Sequence, residues 1–215
     1  MESLVEMIDK EICNRSLLKH PFYQMWTNGE LNMDHLQGYS KEYSSLVKSV
    51  PKMVSNIAKL ALNEQGRRII QVNQKEESEH IELWKNFVLR LGVTNEVFNK
   101  YRGDGRTKKA ISKLKDLTAV SFEEGVSTMY AYEMELPKIS RSKIDGLQKH
   151  YRIADNDALL YFRIHEEVDV RHAQVWRDFI TEIPTQREKP ALSAAVKSLE
   201  AQNELLDSVY NKYVV

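Results

Sequence analysis

His165, Asp169 and His172 stand at i, i+4 and i+7 in the stretch Tyr161-Phe162-Arg163-Ile164-His165-Glu166-Glu167-Val168-Asp169-Val170-Arg171-His172. On a helix these three fall within about 60° of arc and point one way. The same line runs Phe162, His165, Asp169, His172, Trp176, Phe179, an apolar stripe with three polar residues set into it. A packed helix buries such a stripe. Burying two imidazoles and a carboxylate is costly unless they are paired or coordinate a metal. The donor set suits zinc, iron or manganese. A core histidine bonded to an aspartate is the ordinary alternative, and it accounts for one histidine better than for all three residues.

Two other stretches carry similar anomalies. In Lys75-Glu76-Glu77-Ser78-Glu79-His80-Ile81-Glu82-Leu83-Trp84, His80 shares a stripe with Trp84, Phe87 and Leu91. Glu77 at i−3 and Glu76 at i−4 could each reach a metal that His80 binds, although acidic runs are usually solvated faces. In Tyr130-Ala131-Tyr132-Glu133-Met134-Glu135-Leu136-Pro137, Glu133 lies on the inward line Phe122, Val126, Met129, Glu133, Leu136, while Glu135 falls on another face, toward solvent. Together these stretches offer three carboxylates and three imidazoles, the ligand inventory of a two-metal site in a helical bundle. The carboxylate count disfavours zinc and suits two irons, or iron with manganese. Such a centre with open positions activates O2. There is no glycine-rich phosphate loop and no Ser/His/Asp arrangement, so no organic cofactor is expected.

The elements that must position these residues read as helix throughout. Residues 3–15 form a first helix, with Leu4, Ile8 and Ile12 on one side. Residues 17–29 are a turn or short helical piece in which Phe22, Tyr23 and Trp26 read as a cap on the core, the functional alternative being that Tyr23 lines a pocket. A helix over 33–62, with Leu36, Tyr39, Tyr43, Leu46 and Val47 inward, is capped by Asn32 and kinked or broken at Pro51. A third long helix covers 64–91 and closes at Gly92. A short helix follows to Tyr101, then a basic amphipathic one over 108–117 with a solvated face. A helix opened by Thr118 or Ser121 carries Glu133 and is interrupted by Pro137. The chain continues as helix over 138–150. The organising helix starts at Asp155 or Asn156 and stops at Pro184, and a last helix runs from near Pro190 to Tyr210. The fold class is all-α: a single-domain bundle of about seven to eight helices, with no strand alternation, repeat or low-complexity tract.

Composition sets the remaining bounds. Lys plus Arg and Asp plus Glu both number 31, and no basic stripe is interleaved with aromatics. Neither nucleic acid nor an anionic membrane surface is expected as a partner. The single cysteine, Cys13, excludes a disulfide within the chain and suits a reducing cytoplasm; packing on a helix is its expected role. No signal peptide and no bilayer-length apolar run are evident. This much amphipathic helix is compatible with a homodimer.

These residues carry a resemblance to the haem-oxygenase-like di-metal oxidases, fold relatives of thiaminase II and of the pyrroloquinoline-quinone synthase C protein. The chain is also similar to the branch typified by the Chlamydia protein associating with death domains. The resemblance covers nearly the whole chain. It rests on His20-Pro21-Phe22-Tyr23, on His80-Ile81-Glu82-Leu83-Trp84 with Leu91-Gly92-Val93-Thr94, and on Tyr130-Ala131-Tyr132-Glu133 with Pro137. Its most specific part is His-x3-Asp-x2-His over residues 165–172. It implies synthesis of para-aminobenzoate for folate, with an aromatic ring taken from the enzyme's own tyrosine, matching Tyr23, and nitrogen from a lysine, matching Lys143. Tyr132 and Tyr161 match tyrosines near the metals; without the resemblance Lys143 would read as a surface lysine and these two tyrosines as packing. O2 and an external reductant are the implied co-substrates, and the electron donor is unassigned. Aligning the acidic pair selects Glu76 as ligand, whereas continuous-helix spacing, Glu-x-x-His, selects Glu77. Glu133, alone on its helix, is the candidate bridging carboxylate. Two other readings remain: a same-fold oxidase of an external amine, amino acid or fatty acid, and a metal-free binding module.

Overall fold

Most helices begin where a side chain takes up a free backbone N–H. In the computed structural model, which describes residues 2–215, Ser3 forms a capping box with Glu6 at the start of α1 (Leu4–Asn14). A 3₁₀ turn, Leu17–Lys19, leads to α2 (Pro21–Asn28), capped by the ring of His20. Asn32 caps α3 (Met33–Val47), which bends into α4 (Val50–Leu60). Asn63 caps the long α5 (Glu64–Arg90), and Thr94 caps the short α6 (Asn95–Lys100). Asp104, Ser121 and Asp155 cap α7 (Gly105–Leu117), α8 (Phe122–Glu133) and α10 (Asn156–Thr181). Between the last two lies α9 (Leu136–His150), and α11 (Thr185–Tyr213) closes the chain.

The expected all-α bundle is present, divided into more segments than the sequence suggested. Prolines account for two of the divisions. A proline ring clashes with the carbonyl four residues back. Val47, four before Pro51, ends α3, and Glu133, four before Pro137, ends α8. Pro190 differs: α11 starts five residues earlier and runs through it, because the carbonyl that loses its partner, that of Gln186, lies in the exposed first turn. Cys13 does not pack inward; it is exposed on α1.

One core runs through the bundle. The α10 helix packs against α5, α8 and α9, and α11 packs against α8 and α7. The three flanking helices of α10 are those carrying Glu77 and His80, Glu133, and Lys143. Close packing fixes α9 in place: a Cβ at Gly146 would stand 2.6 Å from the Trp26 ring. Trp26 is fully buried, and its indole N–H donates to the Lys143 carbonyl at 3.3 Å. No helix among the described residues is long and apolar enough to cross a membrane.

Gly146→Val therefore overpacks the α2–α9 contact and should lower unfolding free energy by about 1–3 kcal/mol in urea titration. Gly105→Ala, where an added Cβ meets nothing within 4 Å, should be neutral or slightly stabilising. Equal effects at the two glycines would contradict this packing.

Candidate metal centre and the adjoining lysine–tyrosine compartment

Helical periodicity turns His80, Glu77, His165, Asp169 and His172 inward, and all five are buried. Packing α5 on α10 joins them into two groups whose donor atoms lie within 4.8 Å of one another: Glu77, His80 and His165, and Glu77, Asp169 and His172. Glu77 is common to both. One oxygen lies 3.4 Å from His80 Nδ1, and the other 3.4 Å from His172 Nδ1. Asp169 Oδ1 is 3.7 Å from the same His172 nitrogen.

Two of the histidine rings are oriented from behind. His165 Nδ1–H donates to the Tyr161 carbonyl at 2.7 Å, which leaves Nε2 with its lone pair. His172 Nε2–H donates to Glu76 at 2.6 Å, which leaves Nδ1 facing Glu77 and Asp169. Glu76 also holds the exposed Arg171. The competition between Glu76 and Glu77 is thereby divided spatially. Glu77 faces the cluster, while Glu76 bonds His172 at the ring nitrogen opposite to the one that faces Glu77 and Asp169.

The electrostatics of the cluster are compatible with a bound cation. Burial and the neighbouring Glu77 and Glu133 carboxylates drive the Asp169 pKa well upward. Burial raises Glu133 to about 8, further helped by Glu77 and opposed by His172 and the Trp176 indole, which donates to it at 2.5 Å. Glu77 moves the other way: burial opposes its charge, but His172 and His80 hold its pKa well below the carboxylate range. Burial lowers His165 to about 3, leaving a neutral imidazole. For His172, burial is outweighed by Glu77, Glu133 and Glu76, and the pKa rises to about 9. His80 Nδ1, His172 Nδ1 and both Asp169 oxygens have no hydrogen-bond partner. The His172–Glu77 approach is thus an ion-pair contact, too poorly aligned for a hydrogen bond. Native interiors pair buried polar atoms, and four orphaned donor-type atoms converging on one place fit a metal site. Its nitrogen and carboxylate donors match transition metals, iron and manganese among them.

Glu133 belongs to neither triplet. Its charge acts on Glu77, Asp169 and His172 from the end of α8, so it borders the cluster from a third helix. Glu77, rather than Glu133, is the carboxylate common to both groups. Glu135 is half-buried at the start of α9, not solvated. Asn73, one turn before Glu77 on α5, is buried with Nδ2 unpartnered. It was missed because one amide in a stripe is a weak signal.

A second buried compartment adjoins the first. Lys143 reaches inward from α9 and is almost wholly buried. Its Nζ lies 5.0, 4.9, 5.0 and 5.5 Å from the ring centroids of Tyr23, Tyr39, Tyr43 and Phe162. Burial alone lowers its pKa to about 7. Tyr161 stacks on His165 at 4.0 Å and meets Trp84 edge-on at 4.8 Å. Trp84 in turn lies 4.9 Å from Tyr43, and Tyr43 5.3 Å from Tyr39. Contiguous aromatic rings thus connect the two compartments. Tyr132 is buried on α8, where Tyr43, Tyr161 and Glu77 all act on it. Sequence reasoning treated Tyr39 and Tyr43 as core and assigned neither to the site.

Residues 5–212 match the TENA/THI-4/PQQC family. The chain belongs to that family. It is 34% identical over 213 residues to a 4-aminobenzoate synthase of Chlamydia trachomatis, covering 97% of this chain and 89% of that one. It is 27% identical to a 4-aminobenzoate synthase of Nitrosomonas europaea, covering 97% and 91%. Among solved structures, a TenA homologue from Pseudomonas syringae superposes with TM-score 0.83 at 15% identity, covering 98% and 93% of the two chains. A Shewanella denitrificans domain described as having a haem-oxygenase-like fold gives TM-score 0.77 at 17% identity, covering 98% and 90%. This TENA/THI-4/PQQC chain therefore has the haem-oxygenase-like fold.

Two measurements test the geometry. Glu77→Gln should remove metal binding at both groups, while Glu76→Gln should weaken it about 10–100-fold without abolishing it, as read by iron and manganese titration. The reverse order would exchange their roles. Lys143 keeps its proton to about 7 when folded, against about 10.4 when unfolded. Between those values the unfolded chain binds one more proton, so stability should rise with pH by up to about 1.4 kcal/mol per unit. Lys143→Met should remove that part of the slope; parallel curves for the two proteins would contradict a neutral buried amine.

Proposed function

We propose that this chain is an O2-dependent enzyme that makes 4-aminobenzoate from its own Tyr23, with Lys143 as the source of the amino nitrogen. The observation that carries the reading is the position of Lys143. Its amine is enclosed by phenol rings of the chain itself, and aromatic contacts link that enclosure to a buried His/carboxylate cluster. Relatives at 27–34% identity named 4-aminobenzoate synthase support the product.

In this reading Glu77, His80 and His165 hold one metal, and Glu77, Asp169 and His172 hold the other. Glu133 adds a carboxylate from α8, and Glu76 orients His172. Two irons, or iron with manganese, would supply the O2 activation there, with electrons from an external reductant. Tyr161 and Tyr132 lie between the cluster and the phenols and are candidates for relaying oxidation to Tyr23. The dry surroundings leave a substantial part of Lys143 uncharged near neutral pH, the form an amine needs in order to act as a nucleophile. They also keep water away from an oxidised ring. A chain that consumes its own tyrosine turns over at most about once, far below ordinary kcat values.

The test is to add ferrous iron, with or without manganese, then reductant and air, to the purified protein. The small-molecule fraction is assayed for 4-aminobenzoate and the protein by intact and peptide mass spectrometry. Product at no more than about one per chain, a mass change at Tyr23, and no product from Lys143→Ala or Tyr23→Phe are expected. Product formed with Tyr23 unaltered would move the substrate outside the chain.

A further inference from the structure

Lys143 and Tyr23 do not meet through polar atoms. The Lys143 Nζ donates instead to Tyr39 Oη at 2.5 Å, and Tyr39 Oη lies 3.3 Å from Tyr23 Oη, with either phenol able to donate. A side chain from α3 thus stands between one from α9 and one from α2. Tyr39 is fully buried, and its ring packs on Phe22, Trp26, Tyr43 and Trp84. A phenylalanine would serve that packing. A hydroxyl buried among aromatic rings is costly unless it is paired, and the pairs this one makes are with Lys143 and Tyr23.

We infer that Tyr39 is a positioning residue whose hydroxyl holds the Lys143 amine and carries protons between that amine and the Tyr23 oxygen. This rests on the reading in which Lys143 gives nitrogen to the Tyr23 ring. There, O2 is the oxidant: it takes two electrons and two protons, the phenol O–H and one benzylic C–H of Tyr23, and is reduced to the level of hydrogen peroxide, leaving a quinone methide with a carbonyl at the ring carbon that bore the hydroxyl. The amine nitrogen bonds to that carbon, the carbon–oxygen bond breaks, and the oxygen leaves as water with the two N–H protons. Those protons must travel from Nζ to the departing oxygen in a compartment shielded from solvent. The donor order Lys143 to Tyr39 to Tyr23 provides the path: Tyr39 accepts a proton from the amine as it releases its own to the Tyr23 oxygen, and ends unchanged. Tyr43 presents its ring to the amine at a similar distance without a hydrogen bond to it, and Phe162 has no proton to give.

The deciding experiment titrates Lys143 by NMR in metal-free protein carrying 13Cε-lysine, with Lys143→Arg to assign the signal. Tyr39→Phe removes the acceptor of the ammonium form and should lower the Lys143 midpoint by roughly 1 unit. Tyr23→Phe and Tyr43→Phe, which leave that bond in place, should not move it. With iron, reductant and O2, Tyr39→Phe should lose about 100-fold or more of the 4-aminobenzoate yield, with residual modification still at Tyr23. An unmoved midpoint in Tyr39→Phe, a full product yield from it, or a mass change at Tyr39 itself in the wild-type chain overturns the inference. If the wild-type chain makes no 4-aminobenzoate, the functional reading fails, and the midpoints still decide whether Tyr39 holds the amine.

Discussion

Five imidazole and carboxylate side chains buried at one place between α5 and α10 are the constraint around which the rest of the protein is arranged. A low-dielectric interior penalises each ionised group, and like charges raise the penalty further. Asp169 and Glu133 are accordingly driven toward their neutral acids, while Glu77 stays ionised because it lies between His80 and His172. The structure tolerates this arrangement only because the helices that carry it are held elsewhere. The α10 helix packs on three neighbours, and Trp84 and Trp176, both fully buried, frame the cluster on either helix.

The lysine–tyrosine compartment repeats the same physics with opposite polarity. An amine that would be protonated in water is kept near neutrality by burial alone, with phenol rings on several sides and one hydroxyl to donate to. The fold therefore accepts a desolvation cost at Lys143 that a hydrophobic residue would not incur. Sites that hold groups in unfavourable protonation states tend to be functional, and here two such sites share a single aromatic wall built by Tyr161, Trp84 and Tyr43.

The outer residues show how much of the site is orientation. Glu76 and the Tyr161 carbonyl each bond one ring nitrogen, of His172 and His165, leaving the other nitrogen of each ring free of that bond. Trp176 fixes one oxygen of Glu133, and Trp26 ties the backbone of Lys143 to α2. Each of these partners is supplied by a different stretch of chain or a different turn. Their placement depends on how α2, α5, α8, α9 and α10 pack rather than on any one helix.

The sequence by itself determined the helices and the faces they bury. The 3.6-residue period placed His165, Asp169, His172, His80 and Glu77 inward, and the prolines marked two helix ends, because periodicity, capping and ring clashes act within one turn of the chain. It also supplied the family resemblance that singled out Tyr23 and Lys143. What the sequence could not contain was contact between helices. Whether Glu76 or Glu77 faces the cluster depends on the rotation of α5 against α10, and that packing made Glu77, not Glu133, the carboxylate common to both donor groups. Tyr39 read as one more core tyrosine until α3 was placed between α2 and α9. Only tertiary packing brings groups 16 and 104 residues away in the chain to its hydroxyl.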